Sequence, residues 1–326
     1  MPRRPAPVPE PLSSTSFSST STEPRMPYSR TRARDIQHPF HAVAAHQVDL
    51  ADLVQLAYAY GHRAHEVVAI SHGSAARLHT LPLPMRLENE AALHVCRLDA
   101  GRAPRGRGIR GHRWQIGTQS SRAELLFSPS TAELLPIRLL TPIAAAATLA
   151  SLLSLDDLVA VLDACVRECD AGSAASLLHH GLLLVRNRPG AARFARAVPL
   201  VRTGVRSRAE TLLRLMIKRA RLPEPAVAMS VITPVGELHP DLQWSNFGVV
   251  LEYEGDGHRT SVSQFRRDIV RFDAYLDAAL SPIRATADDL YVSPRRLMNV
   301  LERRLRQRGW RPHSRWSLRV PPPAVR

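Results

Sequence analysis

The chain has a single lysine, Lys218; every other one of its 44 basic residues is arginine. Positive charge therefore comes almost wholly from planar guanidinium groups, which stay charged and fork onto phosphate or carboxylate oxygens. GC-rich codon usage accounts for much of the Arg-for-Lys bias, but not for the formal charge of +15. Cysteine is also scarce. Cys96, Cys165 and Cys169 are too few for a disulfide framework, which points to a reducing compartment. Cys165 and Cys169 lie four apart on an expected helix, with His179 and His180 nearby. That spacing matches no common zinc pattern, and small core residues are the plainer reading. Aromatics make up 5% of the chain, so the core must be built from Leu, Val, Ala and Ile. No apolar run is long enough for a membrane span. The longest, residues 139–155, contains Pro142, and Thr141-Pro142 reads as a helix start. The amino end lacks the apolar stretch of a signal peptide and the periodicity of a transit peptide. A cytoplasmic, nucleoid-associated protein with no membrane partner is the expectation.

With 326 residues the chain is long enough for two domains. Residues 1–34 are rich in Pro, Ser, Thr and Arg and poor in aliphatics, which predicts a disordered basic tail. Residues 35–200 read as a mixed α/β segment that becomes helical from Thr141. It includes helices at "DLVQLAYAYG" and "SHGSAARLHTLPLP" and a strand at "AALHVCRL". "SLDDLVAVLDACVREC" has Ser154 as cap and acids in its first turn, where they complement the helix dipole. Residues 201–312 predict a second α/β domain in the order α-β-β-β-α-β-α, its three consecutive strands forming an antiparallel meander. Residues 313–326 read as a flexible tail.

The second domain carries the candidate chemistry. Taking "SNFG" as a turn sets Trp244 opposite Val249, Gln243 opposite Val250, Leu242 opposite Leu251 and Asp241 opposite Glu252. Side chains alternate along a strand. Leu242, Trp244, Val249, Leu251 and Tyr253 then form a core face. Asp241, Gln243, Val250, Glu252 and Glu254 form the other. Two opposed carboxylates resist ionising together. A hard divalent cation reverses that, with waters and a substrate phosphate completing its shell, and can activate water against a phosphodiester. Glu210 fits the Ser-x-x-Glu capping box from Ser207 and equally a supporting metal role. His258, after the Gly-Asp-Gly turn, is a surface histidine or a general base. On the next helix Phe265, Ile269, Phe272 and Leu276 are spaced to face the sheet. Gln264, Arg267, Asp268 and Arg271 are expected on the opposite side, as a solvated row or as phosphate contacts.

Together "SRAETLLRLMIKRARLPEP", "HPDLQWSNFGVVLEYEGDGHR", "QFRRDIVRFDAYL" and "ATADDL" resemble the actinobacterial relatives of very-short-patch-repair endonucleases. Those belong to the PD-(D/E)XK, restriction-endonuclease-like superfamily. The resemblance covers residues 207–308. Upstream, "HPFHAV", "SHGSAARLHTLPLP", "HV", "RGIRGHR" and "TPIAAAATLASLLSLDDLVAVLDACVRE" resemble the part preceding the nuclease domain in these proteins, often described as like type IV abortive-infection antitoxins. The winged-helix segment that opens such antitoxins is not recognisable.

The resemblance implies a Mg2+- or Mn2+-dependent DNA endonuclease. Asp241, Glu252 and Glu254 would be its metal ligands. Asp241, Glu252, Glu254, His258 and Glu210 would be its catalytic set, with Gln264, Arg267, Arg271 and Arg259 on DNA. Glu254 stands where the motif has lysine, and Gly255 and His258 match its Gly-x-x-His element. A toxin, repair or defence partner is implied without being identified. The alternative is a non-catalytic DNA-binding, antitoxin-like regulator with a degenerate nuclease fold. Ser281-Pro282 stands where relatives have Gly-Trp, which predicts a short or edge strand there.

Overall fold

The computed structural model describes residues 17–19, 36–46, 49–64, 67–115, 121–127, 134–255 and 262–325. The chain divides into two compact units, Met1–Ser151 with Gly181–Pro189, and Leu152–His180 with Gly190–Arg326. Both are mixed α/β, as the composition and pattern predicted. No helix among the described residues is long and apolar enough to cross a membrane.

The first unit opens with three short strands, β1 (Phe17–Ser19), β2 (Ile36–Gln37) and β3 (Val43–His46), paired in the order β1-β3-β2. The pairing of β1 places three residues of the expected disordered tail in a sheet; the rest of that tail lies outside the described residues. Helix α1 (Leu53–Gly61) starts where the Asp52 carboxylate accepts from the Val54 and Gln55 amides, a standard N-cap. Then follow β4 (Val68–Ile70), α2 (His72–Leu78), α3 (Met85–Glu88), β5 (Leu93–Arg97), β6 (Ile109–Arg113), β7 (Ser121–Phe127), β8 (Leu134–Leu140) and α4 (Pro142–Leu149). The last five strands form one mixed sheet, β6-β5-β4-β8-β7. Ile70, Leu93, Ile137, Leu139 and Leu149 are fully buried in this unit.

The second unit begins with α5 (Leu155–Val166), capped by Ser154, whose side chain accepts from the Asp157 amide. Beyond it lie α6 (Ala171–Val185), whose residues from Gly181 on belong to the first unit, then α7 (Ala191–Ala197) and α8 (Arg208–Arg219). Helix α5 is bolted to α8 by charge. Asp163 Oδ2 lies 3.0 Å from Arg214 Nη2, with both side chains inaccessible. It also accepts from Thr211 Oγ1 at 2.8 Å, and Asp157 Oδ1 accepts from Arg208 at 2.6 Å. These contacts make α5 part of the second unit, whereas the sequence had placed the domain boundary near residue 200.

After α8 come β9 (Val231–Thr233), β10 (Gly236–Leu238), β11 (Leu242–Trp244), β12 (Val249–Glu254), α9 (Val262–Asp277), β13 (Ser281–Thr286), α10 (Ala287–Tyr291) and α11 (Arg295–Gln307). The expected three-stranded meander is corrected here. Strands β9 and β10 pair only with each other, while β11, β12 and β13 form a separate mixed sheet with β12 central. One isolated bridge, Ala226 to Gln243, is all that the "AVAMSVIT" segment adds beside β11. The turn is as expected: Leu242 faces Leu251, Gln243 faces Val250 and Trp244 faces Val249. Gly248 closes it at φ +58°, a conformation that suits glycine.

Strand β13 runs parallel to β12 and lies at the sheet edge, with six residues. The Ser281 amide donates to the Gly248 carbonyl at 2.7 Å. Alternation therefore turns the nitrogen of Pro282 outward, where its missing N–H costs no ladder bond. Leu212, Leu213, Met216, Leu242, Trp244, Val249, Leu251, Ile283, Leu297 and Leu301 pack into one core. Each fully buried leucine contributes about 2 kcal/mol.

The expected flexible tail after residue 312 is also corrected. Trp310, Trp316, Leu318 and Ala324 pack against that core. Trp316 Nε1 donates to the Arg221 carbonyl at 2.7 Å, and the Ala324 amide donates to Leu290 at 2.8 Å. Two tryptophans and a leucine carry enough apolar surface to hold the segment down.

Candidate functional site

Strands β11 and β12 position the acid pair. Asp241 directly precedes β11, and continuing the register by one residue sets it opposite Glu252. The backbone links them as well: the Tyr253 amide donates to Asp241 Oδ2 at 2.7 Å. Helix α9 covers this face. Tyr275 is inaccessible and packs with Val250 and Val231. Its hydroxyl donates to Glu252 Oε1, and Arg271 Nε donates to the same oxygen at 2.8 Å. Arg271 also reaches the His239 carbonyl through Nη2, at 2.5 Å.

The electrostatics follow from this burial. Burial raises the Asp241 carboxyl to about 7, and the negative charges of Glu252 and Glu210 push the same way, against the Tyr253 amide and Arg271. Burial also raises the Tyr275 phenol, reinforced by its bond to Glu252. Burial works against the Arg271 cation, but Glu252 overcomes it and raises that guanidinium. Gln243, on the same strand face, is buried, and its Oε1 has no hydrogen-bond partner among the described residues. A buried, unsatisfied oxygen on the face that carries two carboxylates is a costly arrangement that a cation or a water would relieve.

The other expected residues divide. Glu210 is buried and forms half of the expected capping box, its carboxylate reaching the Arg206 amide rather than that of Ser207. Its amide donates to Ser207 Oγ at 3.2 Å, and its Oε2 accepts from the Arg206 amide at 3.1 Å. Burial raises its carboxyl, against the Arg206 amide and the charges of Arg206 and Arg167. It still acts on Asp241 through space. Glu254 goes elsewhere: its carboxylate sits 3.0 Å from Arg284 Nε and lines a surface groove with Thr286, Asp288 and Arg296. Among the described residues, no three carboxylates bring ligand atoms within 4.8 Å of one another. His258 and Arg259 lie outside the described residues, as does the side chain of Gln264. Arg267 is exposed on α9.

The expected orientation of α9 is corrected by the same contacts. Ile269 is 41% exposed and Leu276 52%, while Ala274 and Tyr275 are buried. The helix turns its Arg271–Tyr275 line onto the sheet because those side chains, not the apolar stripe, satisfy the carboxylates beneath. Of the expected polar row, Arg271 turns to the acids as a carboxylate partner, while Arg267 is exposed. Tyr275 was not singled out from the sequence. Its signal was present, since it lies four residues after Arg271 and so shares its face.

The Cys165–Cys169–His179–His180 possibility fails on geometry. The three-residue group of His, Cys, Asp or Glu whose ligand atoms gather among the described residues is His72, His94 and His112. Burial raises the Cys165 thiol to about 12, so it stays protonated. Periodicity gave no sign of the histidines, because they come from α2, β5 and β6 and meet only through pairing. Comparison with protein-family models, with curated proteins and with solved structures gives no match to this chain.

Proposed function

We propose that the second unit hydrolyses DNA phosphodiester bonds with a divalent cation, Mg2+ or Mn2+, held by Asp241 and Glu252. The observation that carries this reading is the Asp241 carboxyl, raised to about 7 inside a chain of net charge +15. A buried acid beside a second and a third acid lacks positive charge, and a hard cation supplies it. The donors fit such an ion: two carboxylates on opposed strands, and the unpartnered Gln243 Oε1 on the same face. Mg2+ needs only one or two protein carboxylates when water and a phosphate fill its remaining positions. When bound, it would lower the pKa of a water and offset charge on the phosphodiester.

The chain's own residues supply the rest. Asp241, near neutrality, holds or accepts a proton. Tyr275 orients Glu252. Arg271 exchanges its carboxylate for a phosphate, the bidentate partner it suits equally. The order α8-β11-β12-α9-β13, with β11–β12 antiparallel and β12–β13 parallel, supports a restriction-endonuclease-like core. The arginine-rich surface supports DNA as the polyanion.

A second reading rests on Arg271. That guanidinium and Tyr275 already satisfy Glu252, as in a degenerate site that binds DNA without cutting it. Incubation of supercoiled plasmid with purified protein separates the two. The first reading predicts Mg2+- or Mn2+-dependent nicking that Glu252→Gln and Asp241→Asn abolish. Salt-dependent DNA binding with no cleavage in either metal would establish the second.

A further inference from the structure

The first unit contains a histidine cluster that lies outside the acid pair. The parallel register of β5 and β6 sets His94 opposite Arg110 and Cys96 opposite His112. Alternation therefore puts His94 and His112 on one face of the sheet. His72 is the first residue of α2, directly after Ser71, with φ +50°. A non-glycine residue there costs on the order of 1 kcal/mol, and such strain persists where the surroundings impose it. The result is that one ring nitrogen from each histidine lies within 4.8 Å of the other two. His72 and His94 are buried and His112 half-buried. His94 Nδ1 and His112 Nε2 are 3.1 Å apart. Two imidazole nitrogens on one tetrahedral Zn2+ are separated by ~3.4 Å, given Zn–N bonds near 2.1 Å.

From this geometry we propose that His72, His94 and His112 bind one divalent transition-metal ion of the Zn2+ class, with water in the fourth position. Three imidazoles are a nitrogen donor set that suits Zn2+ and its neighbours and does not suit Mg2+. The surroundings match a ligating histidine. The other ring nitrogen of His94, Nε2, lies 2.9 Å from Glu90 Oε1, the carboxylate–histidine arrangement that orients metal ligands. The pair is a close ion-pair contact and does not count as a hydrogen bond. Ser71 Oγ occupies Nδ1 of His72 at 3.0 Å, which leaves Nε2 for the ion. The rings of His72 and His112 are stacked, 3.6 Å between centroids and 18° apart. Parallel rings do not aim their lone pairs at one point, so loading tilts one of them.

The test uses the full chain, stripped with chelator and titrated with Zn2+ and separately with Co2+, with excess Mg2+ present to fill the acid pair. We expect one Zn2+ per chain, and a Co2+ complex with the intense visible absorption of a four- or five-coordinate nitrogen site. His94→Asn and His112→Asn should each remove both signals. Glu90→Gln, which keeps all three ligands, should weaken Zn2+ binding by about ten- to hundredfold. Should a histidine variant fail to fold, the wild-type Co2+ spectrum decides alone: a weak, six-coordinate spectrum overturns the proposal. It is equally overturned if stoichiometric Zn2+ binding survives both histidine variants, or if wild type binds none. In that last case the 3.1 Å contact is a hydrogen bond between two neutral imidazoles and nothing more.

Discussion

Arg271 holds Glu252: its Nε lies 2.8 Å from Oε1, and the Tyr275 hydroxyl shares that oxygen. The second acid of the pair is thereby held in place by the helix that covers it, while Asp241 opposite keeps only the Tyr253 amide and a distant share of the Arg271 charge. The two carboxylates are unequal. One is satisfied and the other is starved of positive charge, which places the titration near neutrality on Asp241.

That inequality gives a pH-dependent stability. An unfolded Asp titrates near ~3.9, and folded Asp241 at about 7. The folded state thus holds the proton more tightly. The stabilising contribution is full below about pH 4 and is lost as pH rises through 7. Asp241→Asn removes the ionisable group and keeps an oxygen for the Tyr253 amide. Its melting temperature should exceed that of wild type at pH 8 and match it at pH 4. Equal melting temperatures at pH 8 would mean that Asp241 is not held in an unfavourable ionised state.

Arg271→Ala leaves Glu252 with Tyr275 alone beside Asp241. Without added metal the variant should melt a few degrees below wild type at pH 8. Mg2+ should then recover more stability than it adds to wild type, because the cation no longer competes with a guanidinium. Thermal melts of both proteins with and without Mg2+ check this, and an identical Mg2+ increment would contradict it.

The Asp163–Arg214 pair joins α5 to α8 with no solvent access to either side chain. Burial raises the Asp163 carboxyl even against that cation, so neither charge can stand alone. Arg214→Ala should cost about 3–5 kcal/mol by denaturant unfolding, the usual cost of an orphaned buried charge. Replacing both, Asp163→Leu with Arg214→Met, should cost less than either single change.

The C-terminal segment offers a simpler check. Trp316 meets Trp310 edge-to-face with ring centroids 4.9 Å apart and caps the second unit's core. Trp316→Ala should destabilise that unit by about 2 kcal/mol. It should also speed trypsin cleavage after Arg315 and Arg319, which are exposed but held by that packing. Unchanged stability and cleavage would return the segment to the status of a loose tail.

Much of the second unit was legible in the sequence, for identifiable reasons. The Ser245–Gly248 turn fixed the β11–β12 register, and that register set Asp241 against Glu252. Ser207 and Ser154 marked their helix starts through local capping bonds that depend on nothing distant. The facing of α9 was not legible, because its apolar period predicts a buried Ile269 and Leu276 that the acids beneath displace in favour of Arg271 and Tyr275. The separate β9–β10 hairpin was hidden for a similar reason: strand propensity does not say which strands pair. The tail after residue 312 has a loop's composition, yet its tryptophan and leucine find the core. The histidine cluster needed three elements to pair before any spacing between them had meaning.

The central claim is that Asp241 and Glu252 share one hard cation. Calorimetric titration of the full chain with Mg2+ at pH 8 tests it most directly, since imidazoles do not compete for that ion. One Mg2+ per chain is expected, lost in Asp241→Asn and in Glu252→Gln and retained in His94→Asn. Mg2+ binding that is unchanged in both acid variants, or absent from wild type, would contradict it.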